Sequence, residues 1–515
     1  MLTLPSAEGV AHDAGGIRLR KKKDRFLFMT YNLLAQALVR RDMFPHASQK
    51  ALRWKFRKQN LLQEFLAYGP DLACLQEVDF WDEVYLPALT KAGYETSYYK
   101  NEKKKHGCAI IWRKTRFEKV DQMTLEYDDI GQPTFTTGNI GLMVGLRPLQ
   151  QKASENPDPN ADMVLPEEDE GIYDENDAAQ NEEIPIPGGI LVATTHLFWR
   201  PDGSYERLRQ ASILLQKIDE WNKQLNFTVL LGGDFNTTPR DAAYRAMTRN
   251  SMPAHQIPNL QSWLEAEVNR VQEAEANAAA EAAPSSEAAD SKDPLEQLTA
   301  RTEQLDIKSS TNGSKTDADL PYRAPPTGII LPKAAAPADK SSPETTIADF
   351  TQFGDSEDPK IKNLAIMGSS ASGEDAPVHA PLEAFTPAKD LLAAVETYAR
   401  CISIYGQYEA LTKDDPAEVN TEAAQASSEI ESTATEAPVE HTHGEPTFTN
   451  FATWFKDTLD YVYLYDQPIP EAGARLVPLR LLEIPDKSFL GHGLPDENFS
   501  SDHLCLMVEF ALLAR

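Results

Sequence analysis

The stretch LLGGDFNTTP, residues 230–239, sets an acid and an amide, Asp234 and Asn236, two positions apart at the end of an apolar run. Alternate residues of a strand share a face, so these two oxygen-bearing side chains can address one object. The two glycines before them permit a bend and a close approach by a ligand. Thr237, Thr238 and Pro239 have a separate, local reading: a threonine N-cap with proline opening a helix over RDAAYRAM. The same device, a strand-like run next to a polar residue, recurs along the chain. Asn32 follows FLFMTY, Glu77 follows DLACLQ, and His196 follows GILVATT; Asp460 opens DYVYLY, and Asp502 and His503 open DHLCLMVEF.

Each of these residues alone has a plain structural explanation. Asn32 suits a turn cap, Glu77 the N-terminus of a helix, His196 a core position bonded to backbone, Asp460 the surface, and the Asp502-His503 pair a turn after Ser500-Ser501. Their recurrence at one structural address, the end of a strand, is what points to a site. Carboxylate and amide oxygens are hard ligands, suited to Mg²⁺, with Mn²⁺ as the alternative, rather than zinc. A divalent cation beside histidine suits hydrolysis of phosphate esters, because it neutralises charge on phosphoryl oxygens and acidifies bound water. A histidine held by a carboxylate can move a proton near neutral pH.

The elements that must position these residues alternate between strand and helix patterns. FLFMTY (26–31), DLACLQE (71–77), YETSYY, GCAIIWR, NIGLMVGLR, GILVATTHLF and FTVLLGGDF read as strands, followed by LDYVYLY (459–465) and SDHLCLMVEFAL (501–512). ALRWKFRKQNLLQEFLAY (51–68), DEVYLPALTKAG (82–93) and SYERLRQASILLQKIDEWNKQ read as helices. Mixed order of this kind argues for an α/β architecture with one core and helices packed outside it.

The formal net charge of −29 would be odd for a nucleic-acid enzyme if it were spread evenly. It is concentrated in 151–186, 264–385 and 413–445, and without them the chain is close to neutral. These segments are rich in Ala, Glu, Ser, Pro and Asp and poor in large apolar residues, which leaves too little apolar surface to offset chain entropy. They are expected to be disordered insertions in surface loops, with a short helix over 264–282 and with basic partners of unknown identity. Residues 1–25 form a basic arm carrying RLRKKK, a nuclear signal, a phosphate contact or simply a solvated run. Residues 26–515 are expected to form one interrupted catalytic domain, monomeric. The four cysteines lie far apart with no CxxC, so buried thiols in a reducing compartment are expected. No apolar run approaches the about 20 residues of a membrane span, and no signal-peptide core is present. The expected setting is therefore intracellular, in cytoplasm, nucleus or both, with no membrane association.

The chain resembles the endonuclease/exonuclease/phosphatase superfamily. The residues that carry the likeness are MTYNLLAQ (29–36), LQEV (75–78), HGCAIIW (106–112), GNIGLMV (138–144), TTHLFWRP (194–201), GGDFNTTP (232–239), LDYVY (459–463) and SSDHLCL (500–506). They are similar to the deadenylase-like branch, with nocturnin, the Angel proteins and the fungal Ngl-type RNA exonucleases. The resemblance implies a two-sheet β-sandwich flanked by helices. It implies that Glu77 binds Mg²⁺, with Asn32 beside it and Asp502 assisting. Asp234 and Asn236 would contact metal, nucleophilic water or scissile phosphate. His503, oriented by Asp460, would act as general base or charged donor, and His196 would stabilise the transition state. Asn139 would touch the phosphate. Pro201 and Phe455 stand where adenine-binding members sandwich the terminal base, although Phe455 in FATWF equally suits hydrophobic packing.

Three features depart from the family pattern. His106, preceded by Lys103-Lys104-Lys105, stands where poly(A)-specific members often carry Asp; only about 25 residues precede the first strand, so docking through leucine-rich repeats is not expected; and the acidic insertions are long. The implied function is a Mg²⁺-dependent 3′→5′ RNA exonuclease acting on single-stranded RNA 3′ ends, either poly(A) or a stable RNA such as ribosomal RNA. The alternative is a small-molecule phosphatase, of the dinucleotide 2′-phosphatase or inositol-phosphate type, on the same metal site. A non-catalytic adaptor would be expected to lack one of Glu77, Asp234 or His503, and all three are present.

Overall fold

A computed structural model describes residues 1–3, 25–149, 188–282, 376–412 and 443–513. The expected insertion 151–186 and the cluster RLRKKK lie outside the described residues. The chain divides into two compact units, Met1–Asn269 with Ser341–Arg515, and Arg270–Lys340. Of the second, only the end of one helix, over 270–282, is among the described residues.

The first unit is built on two facing sheets. One runs, edge to edge, Leu2–Thr3, Arg475–Leu481, Leu506–Leu513, Arg25–Asn32, Leu72–Val78, Gly107–Arg113, Tyr94–Tyr99. The other runs Arg400–Ser403, Asp460–Asp466, Thr228–Asp234, Ile190–Thr195, Ile140–Pro148, Phe117–Glu126. Two-residue side-chain periodicity sorts the apolar residues onto faces. Phe28, Cys74, Val192, Leu230, Val462 and Phe510 point between the sheets. Their neighbours Met29, Ala73 and Met507 pack outward against the helix Trp54–Tyr68. Leu191, Leu231 and Tyr461 pack outward on the other side, in the cluster that holds the helix Ser204–Leu225. This is the two-sheet sandwich flanked by helices that the resemblance implied.

Topology decides where the polar strand ends go. Strands 25–32 and 72–78 are parallel, as are 190–195 and 228–234, so each pair finishes at one edge. Strand 460–466 is antiparallel to 228–234, with Asp460 directly opposite Asp234. Strand 506–513 is antiparallel to 25–32, with Leu506 opposite Thr30, so the segment before it arrives beside Asn32. Four strand ends and two strand beginnings thus meet.

Several expectations change. Strands Phe117–Glu126 and Arg475–Leu481 were not foreseen. The first is an edge strand whose side chains are mostly exposed, and the second carries Pro478 at an irregular register, so neither shows clean alternation. The helix expected over 82–93 is confined to Leu86–Lys91 and is preceded by a π-turn, Trp81–Tyr85. Described residues at the ends of two of the acidic segments belong to the fold. Leu264 and Val268, on the helix Gln256–Ala282, are buried in the core, as is Phe385. Apolar residues at three- and four-residue spacing suffice to dock a helix whose remaining face is acidic.

Glu445, at the end of the expected third insertion, is also buried. Its Oε1 accepts a hydrogen bond from the Tyr244 hydroxyl at 2.8 Å, and burial pushes its carboxyl up to about 7. In the unfolded chain this group ionises near 4.5. Between that value and about 7 only the unfolded state gains from ionisation, so stability falls as pH rises across this window and the penalty is complete above it. Glu445→Gln is therefore expected to match wild type near pH 4 and to exceed it by up to about 3 kcal/mol at pH 8. Denaturant midpoints at the two pH values check this; a constant difference between the proteins would sink it.

The paired glycines of LLGGDF have a different role from the one expected. A Cβ at Gly232 would come within 2.6 Å of the Phe28 ring, and one at Gly233 within 2.6 Å of the Thr195 carbonyl oxygen. The glycines admit neighbouring protein rather than a ligand. Because the obstacle at 233 is backbone, Gly233→Ala is expected to push strands 190–195 and 228–234 apart at a cost of about 1–3 kcal/mol, read as a lower denaturant midpoint.

Candidate active site

Glu77, next to last in its strand, has φ +54°, in the left-handed region, where the register with the neighbouring strand breaks between Leu75 and Val78. Such breaks re-aim side chains. Here the carboxylate turns to the sheet edge, where Oε2 accepts the Ala35 N–H at 2.9 Å. Asn32 joins two acids: its Nδ2 donates to Glu77 Oε1 at 3.2 Å and to Asp234 Oδ2 at 2.9 Å. Its Oδ1 accepts the Leu34 N–H at 2.9 Å. As placed, Asn32 presents its amide nitrogen to the acids and spaces them apart.

Asp234 Oδ2 is the hub of the site. Besides Asn32, it has His196 Nε2 at 3.6 Å and His503 Nε2 at 3.7 Å. Glu77 Oε1 lies 3.7 Å from the same His196 nitrogen. Asp234 Oδ1 accepts the Asn236 N–H at 2.9 Å. Asn236 has φ +48°, and its Nδ2 donates to the Leu197 carbonyl at 2.9 Å. The strand therefore ends at Asp234, and a local turn, rather than strand alternation, brings Asn236 in. The helix that follows is capped by Asp241, whose side chain accepts the Ala243 N–H, and not by Thr237 or Thr238. Asp241 is anchored there by Arg207 and Ser204, so Pro239 falls in the turn ahead of the cap.

Asp460 and His503 form a pair, with His503 Nδ1 2.8 Å from Asp460 Oδ2. The Thr449 hydroxyl donates to the same oxygen at 2.6 Å. Asp234, Asp460 and His503 bring ligand-type atoms within 4.8 Å of one another. The short Asp460 contact commits His503 Nδ1, which leaves Nε2 facing Asp234. Asp502 and His503 lie in the loop before strand 506–513 rather than opening it. The loop is held by the Ser501 hydroxyl, which donates to the Asn32 carbonyl at 2.7 Å and accepts the His503 N–H at 3.1 Å. Asn139 reaches the site indirectly: its Nδ2 donates to the His196 carbonyl at 2.8 Å. The Pro201 carbonyl accepts from Arg207, and Phe455 is half-buried beside Trp454, 6.0 Å between ring centroids.

Burial and charge set the protonation states. Burial, reinforced by Asp460, pushes Asp234 up to about 7. Burial alone would depress His503, but Asp460, Asp234 and Asp502 outweigh it and raise the imidazolium well above the ordinary range. Burial, then the charges of Lys104 and His503, push His196 down to about 3, so its ring is neutral. Two oppositely tuned histidines therefore flank one carboxylate.

The donor set fits a divalent cation. Asp502 Oδ1 is buried with no hydrogen-bond partner, and burial, with Glu77 adding to it, raises its pKa. Carboxylates gathered in this way disfavour one another until a positive charge separates them. Sequence reasoning missed Arg57, wholly buried behind the site, which donates to the carbonyls of Leu33, Leu34 and Ser500. It also missed Thr449, and Asp79, whose carboxylate accepts the Ala37 N–H and is pushed by burial up to about 6. Arg57 carried no signal, because an arginine in an amphipathic helix reads as a solvated face.

The model of the Endonuclease/Exonuclease/phosphatase family matches residues 29–284. That region of the chain carries the sequence pattern of this family. It is similar to the RNA exonuclease NGL2 of Saccharomyces cerevisiae, with 36% identity over 253 residues, covering 45% of this chain and 43% of that protein. It is similar also to the probable RNA exonuclease C9B6.11c of Schizosaccharomyces pombe, with 38% identity over 225 residues, covering 43% of this chain and 38% of that protein. The chain thus spans less than half the length of either relative. Among solved structures, that of ANGEL2, a 2′,3′-cyclic phosphatase, in complex with adenosine-2′,3′-vanadate aligns with a TM-score of 0.47 at 20% identity, covering 95% of this chain and 96% of that one. No helix among the described residues is long and apolar enough to cross a membrane.

Proposed function

We propose that the chain is a Mg²⁺-dependent 3′→5′ RNA exonuclease that hydrolyses phosphodiester bonds at single-stranded 3′ ends and releases 5′-mononucleotides. The observation that carries this reading is the meeting of Glu77, Asp234 and the Asp460–His503 pair at one sheet edge, with the orphaned Asp502 oxygen beside Glu77. The likeness to relatives named as RNA exonucleases supports RNA as the substrate.

Glu77 and Asp502 would hold the metal, which when bound neutralises charge on the phosphoryl oxygens. Asp234, with a pKa near 7, is matched to accept a proton from the attacking water. Its orientation is fixed by the Asn236 N–H on one oxygen and Asn32 on the other. His503, kept positive by Asp460, offers its Nε2 proton to a non-bridging oxygen. His196, kept neutral, donates without adding charge, and Asn139 holds its backbone in place. Pro201 and Phe455 would grip the 3′-terminal base by stacking. The four cysteines, all free and buried, support an intracellular setting.

The test follows 5′-labelled RNAs ending in oligo(A), oligo(U) or mixed sequence, with NADP⁺ hydrolysis in parallel. A ladder of shortening products, abolished by EDTA and restored by Mg²⁺, is the expected result. Intact RNA with phosphate released from NADP⁺ would replace this reading with that of a small-molecule phosphatase.

A further inference from the structure

Lys104 differs from the lysines on either side of it. Lys103 and Lys105 are exposed, whereas Lys104 is half-buried and folded inward. The turn that carries it is built rather than loose. The Lys104 N–H donates to the Asn101 carbonyl at 3.0 Å, the Lys103 N–H to Asn101 Oδ1 at 2.9 Å, and Asn101 Nδ2 to Glu126 Oε2 at 2.7 Å. The lysine stem crosses Gly138, which has φ +60°; a Cβ there would come within 3.1 Å of Lys104 Cε and 3.4 Å of Cγ. Glycine at 138 therefore leaves the path along which this side chain reaches inward.

The ammonium ends at the site. Lys104 Nζ donates to Asn139 Oδ1 at 3.1 Å, and the other end of that amide donates to the His196 carbonyl at 2.8 Å. His106, buried in the same corner, has its ring centroid 6.3 Å from that of His196. Among the described residues no carboxylate lies within ion-pair distance of Lys104 Nζ. Arg200, Arg207, Arg209 and Arg240, by contrast, are matched to Asp202, Asp241, Glu206 and Asp457. A half-buried ammonium satisfied by a neutral amide oxygen retains most of its capacity for an anion, since charged acceptors bind it about twice as strongly as neutral ones.

We propose that Lys104, held by Asn139, forms a phosphate-binding position of the active site and takes a non-bridging oxygen of the phosphodiester at the RNA 3′ end. Asn139 keeps the ammonium beside the reacting groups in the free protein and yields it to the phosphate on binding. The inference rests on the phosphoryl-transfer reading above. It adds a fixed positive charge from a loop that no strand-end pattern marks.

Lys104→Met keeps the stem over Gly138 and removes only the charge; Lys104→Arg restores a charge. Two measurements are made on wild type and both variants: kcat/KM on 5′-labelled RNA, and binding of inorganic phosphate by titration calorimetry in Mg²⁺. Lys104→Met is expected to lose about 100-fold in kcat/KM and to weaken phosphate binding by about 10-fold, with an unchanged melting temperature. Lys104→Arg is expected to recover part of both. Equal phosphate binding by wild type and Lys104→Met overturns the inference, whether or not RNA is cut. Wild type that binds phosphate through Lys104 but leaves RNA intact overturns the exonuclease reading alone.

Discussion

Glu77→Gln is expected to lower RNA cleavage by about 1,000-fold or more, in line with the loss of a charge that a metal-assisted site uses directly, and to leave the protein as stable as wild type or more so. The substitution preserves volume and removes only charge and one acceptor. Glu77 Oε2 takes the Ala35 N–H, and Oε1 faces the Asn32 amide and His196 Nε2. Both oxygens are therefore met by donors, so a glutamine gives up one of these hydrogen bonds, a loss of about 1 kcal/mol that the relief of like-charge crowding offsets. On the proposed reading a bound metal would lose an anionic ligand, while the crowding among Glu77, Asp234 and Asp502 would be relieved. Sites that gather like charges give up stability for function, so relief and inactivation should occur together. Single-turnover cleavage and denaturant midpoints check the two halves separately. A variant within tenfold of wild type would remove Glu77 from the metal site.

Arg57→Met should destabilise the protein by about 3–5 kcal/mol, the cost of breaking a buried charged network, and should lower activity in the fraction that remains folded. Arg57 is wholly buried, and burial lowers its pKa. Its Nε donates to the Ser500 carbonyl at 2.8 Å, and Nη2 to the carbonyls of Leu33 and Leu34 at 2.8 and 2.6 Å. Nη1 donates to Gln36 Oε1 at 3.0 Å. One guanidinium thus joins the turn after Asn32 to the loop that carries Asp502 and His503. Methionine fills the space but leaves three backbone carbonyls without a donor, each a buried polar group with a desolvation cost. Arg57→Lys cannot reproduce the fork and should recover only part of the loss. If Arg57→Lys matches wild type in both melting and kcat/KM, the guanidinium geometry is not what holds the loops.

The cluster was legible because its residues stand at strand ends or within a few residues of them, and strand ends are marked locally. FLFMTY, LACLQ and TVLLGG advertise their periodicity, and a polar residue beside such a run is conspicuous. Glu77, Asp234, Asp460 and His503 could be singled out on that ground. Phe117–Glu126 escaped because it is an edge strand with mostly exposed side chains, and Arg475–Leu481 because Pro478 and an irregular register interrupt it, so neither shows the alternation that burial on one face imposes.

The sequence by itself determined the apolar alternation that sorts residues onto the two faces of each strand, the amphipathic helices that cover the sandwich, and the chemical types available at the strand ends. All of these rest on neighbours within a few residues, where backbone geometry alone relates one side chain to the next. Only the tertiary structure decided that Asn32 meets Asp234 across 202 positions, that Arg57 faces inward, and that Gly232 and Gly233 make room for Phe28 and Thr195. It also decided that Lys104, alone among the three consecutive lysines 103–105, bends toward the site. These are matters of register and of which loop closes over which edge. They are set by packing between segments distant in the chain, and no local pattern of residues encodes them.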